Sequence, residues 1–222
     1  MNLTSLLLLA DSRLPAGTHA HSGGLEAAVA TERVTDAVSL HAFLLGRLTT
    51  TGLVTAAFAA AALNPGDGQL AVLDAEFEAR TPSPAQRRAS RALGRQLLRA
   101  VRAGWPHPIL DAAAAVHRGG PHQPIAFGAA GAAAGLDPLG VAAAAALGAV
   151  TGPASAATRL LGIDPDAVTA VLAVLEPAVQ QTAAAAAAAA RGPAEELPSP
   201  GAPRLDISAE HHSTWEVRLF AS

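Results

Sequence analysis

Asp137-Pro138-Leu139-Gly140-Val141-Ala142-Ala143-Ala144-Ala145-Ala146-Leu147-Gly148-Ala149-Val150-Thr151-Gly152-Pro153-Ala154-Ser155-Ala156-Ala157-Thr158-Arg159-Leu160-Leu161 decides the fold class. An aspartate stands before a proline, which is an N-cap followed by the first helical position. More than twenty small or aliphatic residues follow, and alanine is the strongest helix former. Alanine is only weakly apolar, and no Leu/Ile/Phe run sustains the segment. It therefore reads as a buried helix whose small side chains let neighbours approach closely, and not as a membrane span.

The same punctuation recurs outward from this stretch. Ser83-Pro84 and Asp164-Pro165 repeat the cap-proline pattern, and Thr35-Asp36 marks another start. The predicted helices are Asn2–Ala10, Ser22–Ala30, Asp36–Leu63, Gln69–Ala79, Pro84–Ala103, Ile109–Val116, Pro124–Ala133, Pro138–Leu161 and Pro165–Arg191. Pro153 and Pro177 are expected to kink or split the last two. Half of the 222 residues are hydrophobic, but only 3% are aromatic, which leaves too few strand formers for a large sheet. The expectation is an all-α, single-domain multi-helix bundle with an extended C-terminal arm. Residues 1–203 form its helical body and 204–222 its arm, beyond the Pro/Gly-rich break 198–203.

Composition excludes several functions. The net charge of -3 gives no global basic footprint for nucleic acid. Without cysteine there is neither a disulfide framework nor a thiolate metal site. No basic n-region precedes the leucines of Met1–Ala10, and Asp11 and Arg13 follow at once, unlike a secretory leader. The expected location is the cytoplasm, without membrane attachment. No Walker, Rossmann, G-x-S-x-G or His-Glu-x-x-His pattern is present.

Four segments and the tail carry the remaining signal. Leu14-Pro15-Ala16-Gly17 sets a turn, and His19 and His21 follow, two apart, before Ser22 and Glu26 at a helix start. Arg87, Arg91, Arg95, Arg99 and Arg102 recur by four and three, so they share one helix face. That face is either solvated or a docking surface for an acidic protein or a phosphate. Pro124-Ile125-Ala126-Phe127-Gly128 reads as packing. Arg159, on an otherwise small and apolar helix, needs a partner if buried. The closing residues Arg204–Ser222 hold Trp215, Arg218 and Phe220, types enriched at binding hot spots. They bind either the chain's own body or a partner.

In order along the chain, these residues resemble the urease accessory protein F family (UreF). Its N-terminal signature is matched by Leu14, Pro15, Gly17, Ser22, Gly24, Leu25 and Glu26. A middle helix is matched by Ser90, Gly94, Leu97, Leu98 and Arg99, followed by Pro124, Ala126, Phe127 and Gly128 and by Ser155 to Leu160. The closing signature is matched by His212, Arg218, Leu219, Phe220 and Ser222. The chain departs from the family at His19, where an aromatic is usual nearby, at Ile163 in place of a Gly-Gln pair after Leu161, and at Ala221.

The resemblance implies a non-catalytic, all-helical homodimer in urease maturation. It would bridge a UreD/UreH-type accessory protein and a UreG-type GTPase, and dock on the urease apoenzyme. Nickel would be handled by the assembly, with no cofactor or metal held stably by this chain. The implied partner contacts are Arg218, Leu219, Phe220, Ser222, His212 and Trp215 for the D/H type, and His19, His21, Ser22 and Glu26 for the GTPase. The alternatives are a nickel-binding metallochaperone, using His19, His21, His211 and His212, or a regulator of the partner GTPase.

Overall fold

Side-chain caps open the helices where the sequence places them. The structure, a computed structural model, describes residues 2–11, 14 and 20–220. Asn2 accepts from the Ser5 amide and starts α1 (Leu3–Ala10). Asp36 accepts from the Ser39 amide at 2.8 Å, and Ser39 answers onto the Asp36 amide, a reciprocal box that starts α3 (Ala37–Arg47). Ser83, His107, Asp137 and Asp164 open α6 (Pro84–Gly104), α7 (Pro108–Ala115), α9 (Pro138–Leu160) and α10 (Pro165–Ala189), each with proline in the first turn. The remaining helices are α2 (Leu25–Ala30), α4 (Leu53–Ala61), α5 (Gln69–Ala79), α8 (Gln123–Ala133) and α11 (Pro203–Ser213). No β-strand occurs among the described residues, and the molecule is all-α.

The differences from expectation have local causes. Helix α2 begins at Leu25 rather than Ser22, because Gly23 and Gly24 both take positive φ, 59° and 91°. The predicted helix Asp36–Leu63 is continuous but carries a π turn at Leu48–Gly52 between α3 and α4. Thr49, Thr50 and Thr51 bond back to the carbonyls of Leu45, Gly46 and Arg47, which loosens the ladder there. Helices α9 and α10 run through Pro153 and Pro177 without a break. Pro153 has no N–H for the Ala149 carbonyl, and Arg47 fills the gap with an Nε donor at 3.0 Å. The same guanidinium holds the Gly23 carbonyl at 2.9 Å, and burial pulls its pKa down to about 10, so it stays charged at neutral pH.

Helices α4, α9 and α10 pack on one another as the centre of the molecule. The continuous stretch Ala37–Ala61 and helices α9 and α10 are each long and apolar enough to cross a membrane by length and composition alone. Here 56% of the apolar window of α9 is buried inside the protein. The centre is alanine-rich: Ala56, Ala57, Ala59, Ala142, Ala146, Ala154 and Ala157 are all buried. Close approach replaces large side chains. A Cβ on Gly128 of α8 would lie 2.3 Å from the Ala59 carbonyl oxygen of α4, so the Phe127-Gly128 step is a helix crossing. Among the larger core side chains, the Phe58 and Phe77 rings meet edge-to-face at 5.4 Å. Helix α8 also packs on α6 and α7, α1 and α2 lie on α9, and α11 bridges α6 and α2.

Candidate site where the C-terminal tail meets the second helix

Helix α11 was not expected, because the break at 198–203 suggested an extended arm. Its signals are nevertheless present: Pro203 in the first turn, Asp206 beside it, and His211 and His212 in the last turn. Three polar contacts fasten it. Arg33 donates to Ser208 at 3.0 Å. Glu210 accepts from Ser83 and from the Ala85 amide, and so sits at the positive N-terminus of α6. Hydrogen bonding from Ser83 holds the Glu210 carboxyl below its usual range. The third contact is His212, fully buried, whose Nε2 lies 2.9 Å from Glu26 Oε2.

Glu26 is the centre of the site. It lies in the first turn of α2, 7% exposed, and its own amide donates to Ser22 Oγ at 3.3 Å. Ser22 is fully buried and acts in the capping role expected of it, although Gly24 occupies the formal cap position. The Glu26 carboxylate accepts the Leu219 amide at 2.8 Å and the Phe220 amide at 3.0 Å, in addition to His212. Charge-assisted bonds of this kind are about twice as strong as neutral ones. One buried carboxylate therefore pins the last described turn of the chain to α2.

The tail has two faces. Inward, Phe220 is 7% exposed and joins the core, with the Arg159 guanidinium 6.0 Å from its ring centroid. Arg159 is exposed and meets an aromatic face, where a buried arginine would have required an ion pair. The Trp215 ring rests on His212 at 4.6 Å between centroids, and its Nε1 donates to His211 Nδ1 at 3.3 Å. Outward, Val217 is 83% exposed, Leu219 71%, and Arg218 and Glu216 also face solvent.

The predicted contacts therefore divide. Ser22, Glu26, His212 and Phe220 come together as an internal joint, although the sequence placed the first two and the last two on different partners. Arg218 and Leu219 stand on the outer face, with Trp215 partly covered between. His21 is half-buried nearby in sequence, and His19 and Ser222 lie outside the described residues.

A second cluster escaped the sequence reading because its members are far apart in the chain. Arg91, the second residue of the arginine face, is buried. It donates to Asp74 Oδ2 at 3.0 Å, to Glu78 and to the Gly120 carbonyl at 2.7 Å. His122 is fully buried beside them; its amide donates to Asp74 at 2.8 Å and its ring lies 5.1 Å from Phe77. Burial, and then the Arg91 charge, push the His122 imidazole below its ordinary value, while Arg91 holds the Glu78 carboxyl low. Ligand atoms of Asp74, Glu78 and His122 lie within 4.8 Å of one another, but the Arg91 guanidinium already sits between the carboxylates as their cation. Among the described residues, His21, His211 and His212 join no group of three potential metal ligands. Ser90 completes the joint by accepting the Gln123 amide at 3.0 Å.

Comparison with known proteins finds relatives that match along nearly the whole chain. A UreF family model matches residues 34–176. The chain is 47% identical over 220 residues to the urease accessory protein UreF of Mycobacterium sp. (strain JLS), covering 99% of both chains. It is 45% identical over 225 residues to that of Mycolicibacterium vanbaalenii, covering 100% of this chain and 99% of the relative. It is 43% identical over 223 residues to that of Mycobacterium tuberculosis (strain ATCC 25618 / H37Rv), with the same coverage. The family's part in making urease is accessory rather than catalytic. This chain belongs to the UreF family of urease accessory proteins.

Proposed function

We propose that the chain is an adaptor in urease maturation. It bridges a UreD/UreH-type accessory protein and a UreG-type GTPase and docks on apo-urease. Nickel is the cargo of the assembly and not a cofactor of this chain. The homodimer and the cytoplasmic location belong to the same reading.

The observation that supports it is the two-faced tail. Val217 and Leu219 are more than two-thirds exposed on a backbone that a buried carboxylate holds in place. Exposed apolar residues on an ordered segment are binding material, since a pre-ordered segment loses less entropy on docking. The D/H-type protein is assigned to this outer face. The test is co-purification of the full chain with the D-type protein and the G-type GTPase, each alone and together. Capture of both in one complex is expected. Capture of only one, or of neither, overturns the bridging role.

A further inference from the structure

Between α6, α7 and the loop 116–121 lies an open cleft of about 390 Å³. Arg95, Arg99, Arg102 and Arg118 line it, over an apolar floor that includes Leu98 and Pro121. Two of these arginines are tied to the walls. Arg95 donates to the Gly119 carbonyl, and Arg102 to Asp111 at 2.6 Å. The other two, Arg99 on the helix and Arg118 on the loop, have no hydrogen bond or ion pair among the described residues. Four guanidiniums thus face one bound carboxylate, in a chain whose net charge is -3. Ser90, Gly94, Leu97 and Leu98 of the same helix are all used by the fold, and Arg99 is not.

We propose that this cleft binds an acidic segment of a partner protein. Arginine recognises carboxylates through its planar fork of donors, and like charges left facing one another are relieved by an anion. The shape of the row favours a peptide over a phosphate. Arg95, Arg99 and Arg102 are one turn apart and together span about 10 Å along the helix axis. Side chains one turn apart on an acidic helix recur at about 5–6 Å, which matches that spacing. A compact phosphate satisfies one or two guanidiniums and leaves the rest of the row unpaired. The apolar floor suits the methylene stems of glutamate. This inference stands apart from the tail and does not rest on the bridging role.

The test uses the full-length isolated chain and a fluorescein-labelled hexaglutamate peptide, followed by anisotropy. Inorganic tripolyphosphate serves as competitor. Salt-sensitive binding is expected. The double variant Arg99→Glu/Arg118→Glu should weaken it by about tenfold or more, with unchanged helicity and melting temperature. The milder Arg99→Gln/Arg118→Gln should lie between. Arg191→Glu, which reverses one exposed charge elsewhere, should bind like wild type. Equal affinity in the double variant, or equal weakening by Arg191→Glu, would overturn the site. Tripolyphosphate binding more tightly than the peptide would overturn the assignment to an acidic protein segment.

Discussion

Glu26 shows how one side chain sets the course of a terminus. Its carboxylate takes an imidazole and two amides from residues nearly two hundred positions away. Glu26→Gln keeps the size but removes the charge and one acceptor atom. The expected result is faster amide exchange at Leu219 and Phe220 and a loss of about 1–3 kcal/mol of stability. Unchanged protection of those two amides would show that the tail is held by something else. His122 makes a pH prediction. Its folded pKa is pushed below the ordinary 6.5 by burial and by Arg91, against the pull of Asp74 and Glu78. The unfolded chain takes up a proton near 6.5 that the folded chain refuses. Stability from this residue is therefore complete above 6.5 and falls as the pH drops below it. The low-lying Glu78 loses its own contribution further down, below its ordinary 4.5. Melting temperature should decline from pH 7 to 5, and His122→Asn should flatten the decline. An unaltered slope in that variant would remove His122 as the cause.

At the scale of elements, two glycines on helices should respond in opposite directions to alanine. A Cβ on Gly94 of α6 would stand 2.1 Å from the Pro121 carbonyl oxygen, where α6 meets the loop before α8. Gly94→Ala should cost about 1–3 kcal/mol. Gly46 in α3 has nothing within 4 Å, so Gly46→Ala should gain up to about 1 kcal/mol by helix propensity. Thermal melts of the pair check both signs, and a stabilising Gly94→Ala would contradict the close approach. Helices of this kind were legible because caps and prolines are local signals. Asp137-Pro138 and Asp164-Pro165 mark their starts without reference to the rest of the fold. The π turn at Leu48–Gly52 was not legible, because three threonines bonding backward look like any helical threonines in sequence. Nor was the Arg47 donor to Ala149, since it joins residues 102 apart. The candidate site was legible as residue names but not as geometry. The tail and the α2 start were both singled out, yet nothing in either segment says that Glu26 faces His212. The Asp74–Arg91–His122 joint was missed outright for the same reason.

For the whole molecule, the alanine-rich centre of α4, α9 and α10 explains how a chain with few aromatics builds a core. Helices approach closely and contacts are many, although each is small. The tail closes over one edge of this body, so it is part of the fold and also presents the exposed Val217 and Leu219. Removing it outright would confuse those two roles, and single-face variants separate them. The central claim is that the inner face of the tail holds and the outer face binds. The most direct measurement is the affinity of the D-type accessory protein for Arg218→Ala/Leu219→Ala, with Phe220→Ala beside it and the melting temperature of each. The outer-face variant should bind several-fold to tenfold more weakly, about 1 kcal/mol or more, at an unchanged melting temperature. Phe220→Ala should lose both binding and stability. Wild-type affinity in Arg218→Ala/Leu219→Ala would contradict the account.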